Sequence, residues 1–206
     1  MKRRDLVALL ILAAGAVWLV WWLIQPSLSA EVVERGGQLI VEPETSEGPT
    51  TSVVFVGRPI GDDDLQFLRG KRGFQRLLLD STRVTGKSLQ NLEGAEELKW
   101  LSLMSCPVDD DGLAFLPALR NLELLDLDHT RITNAGLAHV GKQKGLKQLM
   151  ICRNKTLTDA CLDHLKGLDE LTELHALDTG ITEAGIRRLQ KSLPRLQKIY
   201  IGKSED

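Results

Sequence analysis

Cysteine is scarce in this chain of 206 residues: Cys106, Cys152 and Cys161 are the only three. They make neither an even disulfide framework nor a CxxC pair, so a disulfide-stapled scaffold and a structural zinc site both lack their signature. They read instead as small buried or half-buried hydrophobes. An excess of charge of one sign is also missing, since 26 basic residues against 28 acidic ones leave a net of −2. No basic stripe is available to neutralise phosphates, which argues against nucleic acid as a partner. What is present is ordinary for a folded domain, with 43% hydrophobic and 26% charged residues, and this excludes disorder as the default.

One long apolar run stands apart. Residues 1–5 form a basic head, and Leu6 to Ile24 follow without a charged or strongly polar side chain. As a helix this run would measure about 28 Å, close to the hydrocarbon thickness of a bilayer. Two readings compete: an uncleaved signal-anchor helix over 6–24, and a signal peptide extending to about residue 29, where Ser27, Leu28, Ser29 and Ala30 could serve a peptidase. The run is longer than the roughly 7 to 15 residues of cleaved signals, and Trp18, Trp21 and Trp22 share one helical face at its far end, where an interfacial aromatic belt sits. Both features favour the anchor. Lys2, Arg3 and Arg4 then stay cytoplasmic and the rest of the chain faces outward. No cysteine near the end of the run offers a site for lipid modification. Beyond residue 5 the chain holds 23 basic against 27 acidic residues, a balance that does not suggest binding to anionic lipid.

Residues 29–49 read as a cap. One or two helical turns over 29–35 end at Gly36 and Gly37, a strand follows over 38–42, and 43–51 is rich in turn formers. From residue 50 onward the chain repeats itself. The stretch Leu122 to Leu137, LELLDLDHTRITNAGL, returns with changed polar letters, and repeat starts fall at 50, 74, 98, 122, 146, 171 and 196. In each repeat the first, fourth and sixth positions are apolar, the period of a short strand buried on one side. The first repeat is degenerate, with Val53, Phe55, Ile60, Leu65 and Leu68 at core positions, and the strand at 39–41 is expected to pair with it and cover that end of the stack.

A turn follows each strand, and then Thr85, Asp109, Thr133, Thr158 or Thr182 stands where a side chain accepts hydrogen bonds from the first amides of a helix. Asp110, Asn134, Asp159 and Glu183 come next, and the three acids among them suit the helix dipole. The helix commits two or three residues to the core, such as Leu113 and Leu116. The last repeat ends in Leu196, Ile199 and Ile201 with a polar tail at 202–206 and no closing helix. Lys198 and Lys203 discourage pairing along that edge without excluding a dimer.

A fixed period in this range marks a solenoid, because one repeat cannot bury its own apolar face whereas a stack buries a continuous core. The wording resembles the leucine-rich repeat family over about residues 50–201. The ninth repeat position reads Thr82, Cys106, Thr130, Asn154 and Thr179, and ITNAGL at 132–137 and ITEAGI at 181–186 follow it. These letters look like the cysteine-containing subtype, known from F-box substrate receptors, ribonuclease-inhibitor-like repeats and exported bacterial repeat proteins. The resemblance implies an α/β fold, a curved parallel sheet on the concave side with helices on the convex side, and a binding function without a cofactor. The chain has no room for an F-box, so a ubiquitin-ligase role does not carry over.

Odd strand positions point to the concave side, since neighbouring strand residues face opposite ways. They place Leu78, Trp100, Met104, Leu124 and Met150 in an apolar patch, with Arg76, Asp126, Asp128, His175 and Tyr200 around it. Trp100 is the one tryptophan outside the N-terminal run. An aromatic and methionine cluster with a polar rim is what a protein-binding surface contains. The expected function is therefore that of a membrane-anchored interaction module whose concave face binds a protein. The alternative is a structural cell-envelope component that self-associates through the open C-terminal edge. Two chemical readings stand beside these, a remote one of a hydrolase-like site with Ser105 as nucleophile and His129 as base, and one of metal ligands. Ser105 and His129 share the eighth position of neighbouring repeats, about 5 Å apart by strand spacing, but no Gly-rich oxyanion loop or enclosed pocket accompanies them. Asp126, Asp128, His175 and Asp178 are metal ligands by type, yet two strands separate the pairs, and they read as solvated rim charges.

Overall fold

The computed structural model describes residues 26–42 and 49–204. The basic head, the apolar run at 6–24 and the turn formers at 43–48 lie outside the described residues. Among the described residues no helix is long and apolar enough to cross a membrane.

Eight short strands join in chain order into one sheet: β1 (Gln38–Glu42), β2 (Thr50–Val54), β3 (Arg76–Leu78), β4 (Trp100–Ser102), β5 (Leu124–Asp126), β6 (Gln148–Met150), β7 (Glu173–Leu177) and β8 (Lys198–Gly202). β1 runs antiparallel to β2, and every later pairing is parallel. The register sets equal repeat positions side by side, so Val53, Leu77, Leu101, Leu125, Leu149 and Leu174 form one row across the sheet, and all six are completely buried. Sixth-position residues form a second row from Phe55 to Ala176, and the first-position Phe74, Leu98, Leu122, Leu146 and Leu171 a third. A side chain buried in every repeat at the same offset produces a core that is continuous along the stack.

Each strand ends in a turn that the alternation of the sequence does not reveal. The eighth repeat position takes a left-handed backbone in six successive repeats: Gly57, Ser81, Ser105, His129, Arg153 and Asp178, with φ between 54° and 67°. Only the first is glycine. For the other five this conformation costs about 1 kcal/mol or more each, and hydrogen bonds to the next repeat offset it. The amide of Ser105 donates to Asp128 O at 2.9 Å, that of His129 to Cys152 O at 2.8 Å and that of Arg153 to Leu177 O at 2.8 Å.

The convex side departs from the expected row of helices. Three segments, Asp63–Leu68, Lys87–Leu92 and Gly112–Ala118, are 3-10 turns. The last of them contains Pro117, which has no amide to continue an α-helix. Farther along, α2 (Leu137–Val140) and α3 (Leu162–Leu165) are single turns, and only α4 (Glu183–Gln190) is a two-turn helix. Leu113, Leu116, Leu137, Val140, Leu165 and Leu189 nonetheless reach the core.

The capping residues act partly as expected. Asp109 accepts from Gly112 N at 3.0 Å, Thr133 from Ala135 N at 3.3 Å and Thr182 from Gly185 N at 3.1 Å. Thr85 and Thr158 do not cap their own helical turns; they are held by the preceding repeat. Asp62 accepts from the Thr85 hydroxyl at 2.6 Å, and Asn134 bonds both the amide and the hydroxyl of Thr158. Asp110 and Asp159, expected to serve a helix dipole, grip the next repeat in the same way. Asp110 accepts from Thr133 N and Oγ1 at 2.8 and 2.6 Å, and Asp159 from Thr182 N and Oγ1, both at 2.8 Å. These pairs staple adjacent repeats along the back of the sheet.

At the N-terminal end a helix and a strand pack on the first parallel strand. α1 (Pro26–Glu34) puts Leu28 and Val32 into the core, and Gly36 at φ 76° ends it. β1 then pairs with β2 over its whole length. At the other end β8 forms the last strand, with Ile199 and Ile201 half-buried and Tyr200 exposed.

Candidate binding surface

The outer face of the sheet carries the residues named from the sequence, in two aligned rows. Arg76, Trp100, Leu124, Gln148 and Glu173 form one row, and Leu78, Ser102, Asp126, Met150, His175 and Tyr200 the other. Met104 and Tyr200 are exposed at 37% and 45%, while Arg76, Leu78, Trp100, Leu124, Asp126, Asp128, Met150 and His175 are half-buried. Direction along the strand is therefore as expected, but depth is not. Ser52, Ser102 and Cys152, placed on the open face by alternation, are buried at 4%, 3% and 8% exposure. Their small side chains sink between longer neighbours. The apolar patch is accordingly interrupted, with Ser102 and Asp126 lying between the Leu78 and Met150 ends of their row.

Trp100 lies at the centre of the better-formed part. The Arg76 guanidinium stands 5.1 Å from its ring centroid, a cation–π distance. Its indole Nε1 is closed off from water and has no hydrogen-bond partner among the described residues. Trp100 and Leu124 line an open hollow of about 590 Å³, whose rim holds Lys99, Glu123, Lys147 and Gln148. Glu123 sits between two lysines, 3.9 Å from Lys99 Nζ and 2.8 Å from Lys147 Nζ. These second-position residues were missed in the sequence; laddering that position as the odd ones were laddered would have brought them together.

Asp126 and Asp128 are not solvated rim charges. Burial pushes Asp126 up from 3.8 to about 6, and the nearby charges of Asp128 and Asp80 add to this, against an opposing bond from the Asp128 amide at 2.9 Å. Burial also raises Asp128, opposed by the Cys152 amide bound at 2.6 Å. Ser102 donates its hydroxyl to Asp80 beside them. Cys152, buried and close to Asp128, is pushed up to about 11 and is an inert thiol at neutral pH.

The raised Asp126 has a consequence for stability. The folded protein holds this proton more tightly than the unfolded chain does, so the contribution is full below about pH 4 and is lost as pH rises through about 6. At pH 7 the ionised group destabilises the fold. Asp126→Asn keeps the acceptor for the Asp128 amide and should stabilise by about 1–2 kcal/mol at pH 7, after discounting for its solvent-facing part. The gain should vanish near pH 4, as urea unfolding across that range will show. A pH-independent difference would mean that charge is not its source.

At the C-terminal side His175 stacks on Tyr200, with centroids 4.3 Å apart, and its Nε2 lies 2.7 Å from Glu173. Bonds from His175 and from Lys198 lower Glu173 below the usual carboxylate range. Asp178 is drawn away from the other acids by Ser204, which bonds both its oxygens. Among the described residues no group of three or more His, Cys, Asp and Glu is placed to hold a metal ion. Ser105 Oγ does come within 3.3 Å of His129 Nδ1. The pair sits on left-handed turns at the sheet margin, and no hydrogen bond among the described residues orients the other ring nitrogen. On the convex side His164 is exposed, and His139 is half-buried with Nδ1 unpartnered among the described residues.

A parallel sheet built one strand per 24 or 25 residues, with aligned leucine rows and short helical turns behind it, defines a leucine-rich repeat solenoid. Solved structures with the same fold include two internalins from Listeria monocytogenes. Internalin C2 is similar with a TM-score of 0.52 and 21% identity, over 88% of this chain and 86% of that one. The internalin InlF matches with a TM-score of 0.51 and 20% identity, over 65% of this chain and 35% of that one, so this chain spans about a third of its length. At this identity the likeness is one of fold. No protein-family model matches the chain, and no curated protein matches it either.

Proposed function

We propose that the protein is a membrane-anchored interaction module that holds a protein partner on the outer face of its sheet, centred on Trp100 and Leu124. The observation that carries this reading is the hollow beside Trp100. It combines a half-buried aromatic, an aliphatic neighbour and a rim of paired charges, the composition of a hot spot with its surrounding ring. The leucine-rich repeat fold, shared with internalins, supports a binding role over a catalytic one. The apolar run at 6–24 supports anchoring, with the repeats outside the cytoplasm. The ninth-position Cys106 and the ITNAGL wording still favour the cysteine-containing subtype.

Trp100→Ala is expected to weaken partner binding by more than about 1 kcal/mol while leaving the unfolding transition in place, because no described residue hydrogen-bonds its indole. Cross-linked capture from native envelopes should use the full chain beside the Trp100→Ala, Leu124→Asp double variant, since Leu28 and Val32 of α1 belong to the core. A species held by the wild type and lost by the variant supports the sheet face. Equal capture by both sinks it. A second reading, self-association through β8, is favoured by its position as the last strand of the sheet and by exposed Tyr200. It predicts a concentration-dependent mass.

A further inference from the structure

The left-handed turns bring together side chains that lie far apart in the sequence. His129, Arg153 and Asp178 occupy the eighth position of three successive repeats, and Lys203 occupies it in the last. With Lys155 and Ser204 they line an open hollow of about 720 Å³ at the margin of the sheet, distinct from the one beside Trp100. Its charge balance differs from that of its counterpart. Beside Trp100, Lys99 and Lys147 face Glu123. Here Arg153, Lys155 and Lys203 have no carboxylate within 4.0 Å among the described residues. Asp178, the one acid in the lining, is engaged by Ser204, whose hydroxyl and amide donate to it at 2.5 and 3.2 Å. Those two bonds, with the charges of Arg153 and Lys155 behind them, hold Asp178 below the usual carboxylate range. The lining holds one engaged carboxylate against three cations, and although Asp128 also acts on Arg153 from outside it, a local excess of positive charge remains in a chain whose net charge is −2.

We propose that this hollow is a second docking point, one that takes an acidic segment of a protein partner. An extended polyanion such as nucleic acid would gain only three cations here and meet net negative charge elsewhere. A short run of carboxylates matches the spacing better. Arg153 and Lys203 lie two strand spacings apart, about 10 Å, the reach of two or three residues of extended chain. Arg153 offers a planar fork suited to one carboxylate, and the lysines are point charges for the next. The site is independent of the sheet face: neither Trp100 nor Leu124 contributes to its lining.

The test is fluorescence anisotropy of the full chain with a labelled peptide of alternating Glu and Gly, beside its Gln–Gly counterpart. The acidic peptide should bind and release as salt is raised, and the neutral one should not. Arg153→Gln and the double variant Lys155→Gln, Lys203→Gln should each weaken binding about tenfold or more, with circular dichroism unchanged. Trp100→Ala should bind as the wild type does. Neutralising Glu205 and Asp206, which follow Ser204 in sequence, should tighten binding or leave it as it is. Equal binding by the Arg153 and lysine variants, or equal binding of the neutral peptide, overturns the proposal. So does inorganic phosphate that displaces the peptide at lower concentration than the peptide itself binds, which would make this a site for a free oxyanion. Loss of acidic-peptide binding in Trp100→Ala would move the peptide to the sheet face, overturning this site but not the proposed function.

Discussion

Asn154→Ala is expected to lower the unfolding free energy by about 3 kcal/mol, from hydrogen bonds alone. Asn154 is a polar side chain at 2% exposure, at a position that neighbouring repeats fill with threonine or cysteine. Its Nδ2 donates to Leu127 O at 2.8 Å, Ile151 O at 3.1 Å and Cys152 O at 3.2 Å, and its Oδ1 accepts from Thr130 N at 3.0 Å. Some of these groups have other partners. The Thr130 hydroxyl reaches Leu127 O at 2.9 Å, and the His129 amide reaches Cys152 O. The Thr130 amide and Ile151 carbonyl are left with no other partner among the described residues, and each buried orphan costs about 1–3 kcal/mol. Asn154→Thr separates the two kinds of bond. Thr179 already caps Ala176 O of its own repeat at 2.7 Å, and a threonine at 154 is placed to do the same for Ile151 O. It cannot supply the acceptor to Thr130. Its loss should be about half that of alanine. Urea unfolding with an unchanged slope measures both, and a loss below about 1 kcal/mol for Asn154→Ala would mean that the link between repeats contributes little. Cys106 is the weaker version of the same device: its thiol donates to Leu79 O at 3.0 Å across the equivalent boundary two repeats earlier.

Gly141→Ala is expected to destabilise by about 2 kcal/mol, although helix propensity points the other way. Gly141 follows α2 with φ −60° and ψ −10°, a conformation any residue adopts. Alanine would gain about 1 kcal/mol from propensity. Space decides against it. A Cβ at Gly141 would lie 2.1 Å from His164 O, a backbone atom of the next repeat. That carbonyl cannot rotate away as a side chain does, so the two repeats must part, and overpacking of this kind costs about 1–3 kcal/mol and sometimes more. Gly112 is in the same position against Thr85 O at 2.2 Å. Thermal unfolding of Gly141→Ala should show a lowered midpoint; a raised one would mean that the stack is loose enough to absorb a methyl group.

The surface and core predictions share a feature. Asn154 and Gly141 each matter through a residue one repeat away, the cationic hollow is assembled across repeats, and Asp126 feels Asp80 from two repeats away. In a solenoid each repeat touches its neighbours alone, so the contacts that differ between repeats are contacts across one boundary. Predictions of this kind are best tested singly, because variants on opposite sides of one boundary share partners and should not add.

The sequence by itself determined the strand rows, the core and the order of the sheet. Alternation within six residues says which way a side chain points, and recurrence after 24 or 25 says that every repeat points it the same way. Leu77, Leu101, Leu125, Leu149 and Leu174 needed nothing further. The outward direction of Arg76, Trp100 and Leu124 was legible for the same reason. Depth, charge state and partners were not, because these depend on which side chain the next repeat sets beside each residue. Ser102 and Cys152 point outward and are buried; Asp126 points outward and is pushed up to about 6 by its surroundings. Asp110 and Asp159 stand at helix starts in sequence and bond the following repeat in space. Ser81, Ser105, His129 and Arg153 carry no letter that announces a left-handed turn, since bonds from the neighbouring strand hold that backbone. Only the tertiary structure decided these, because periodicity fixes directions inside a repeat, while contacts across a boundary arise when two repeats of unlike polar letters are laid side by side.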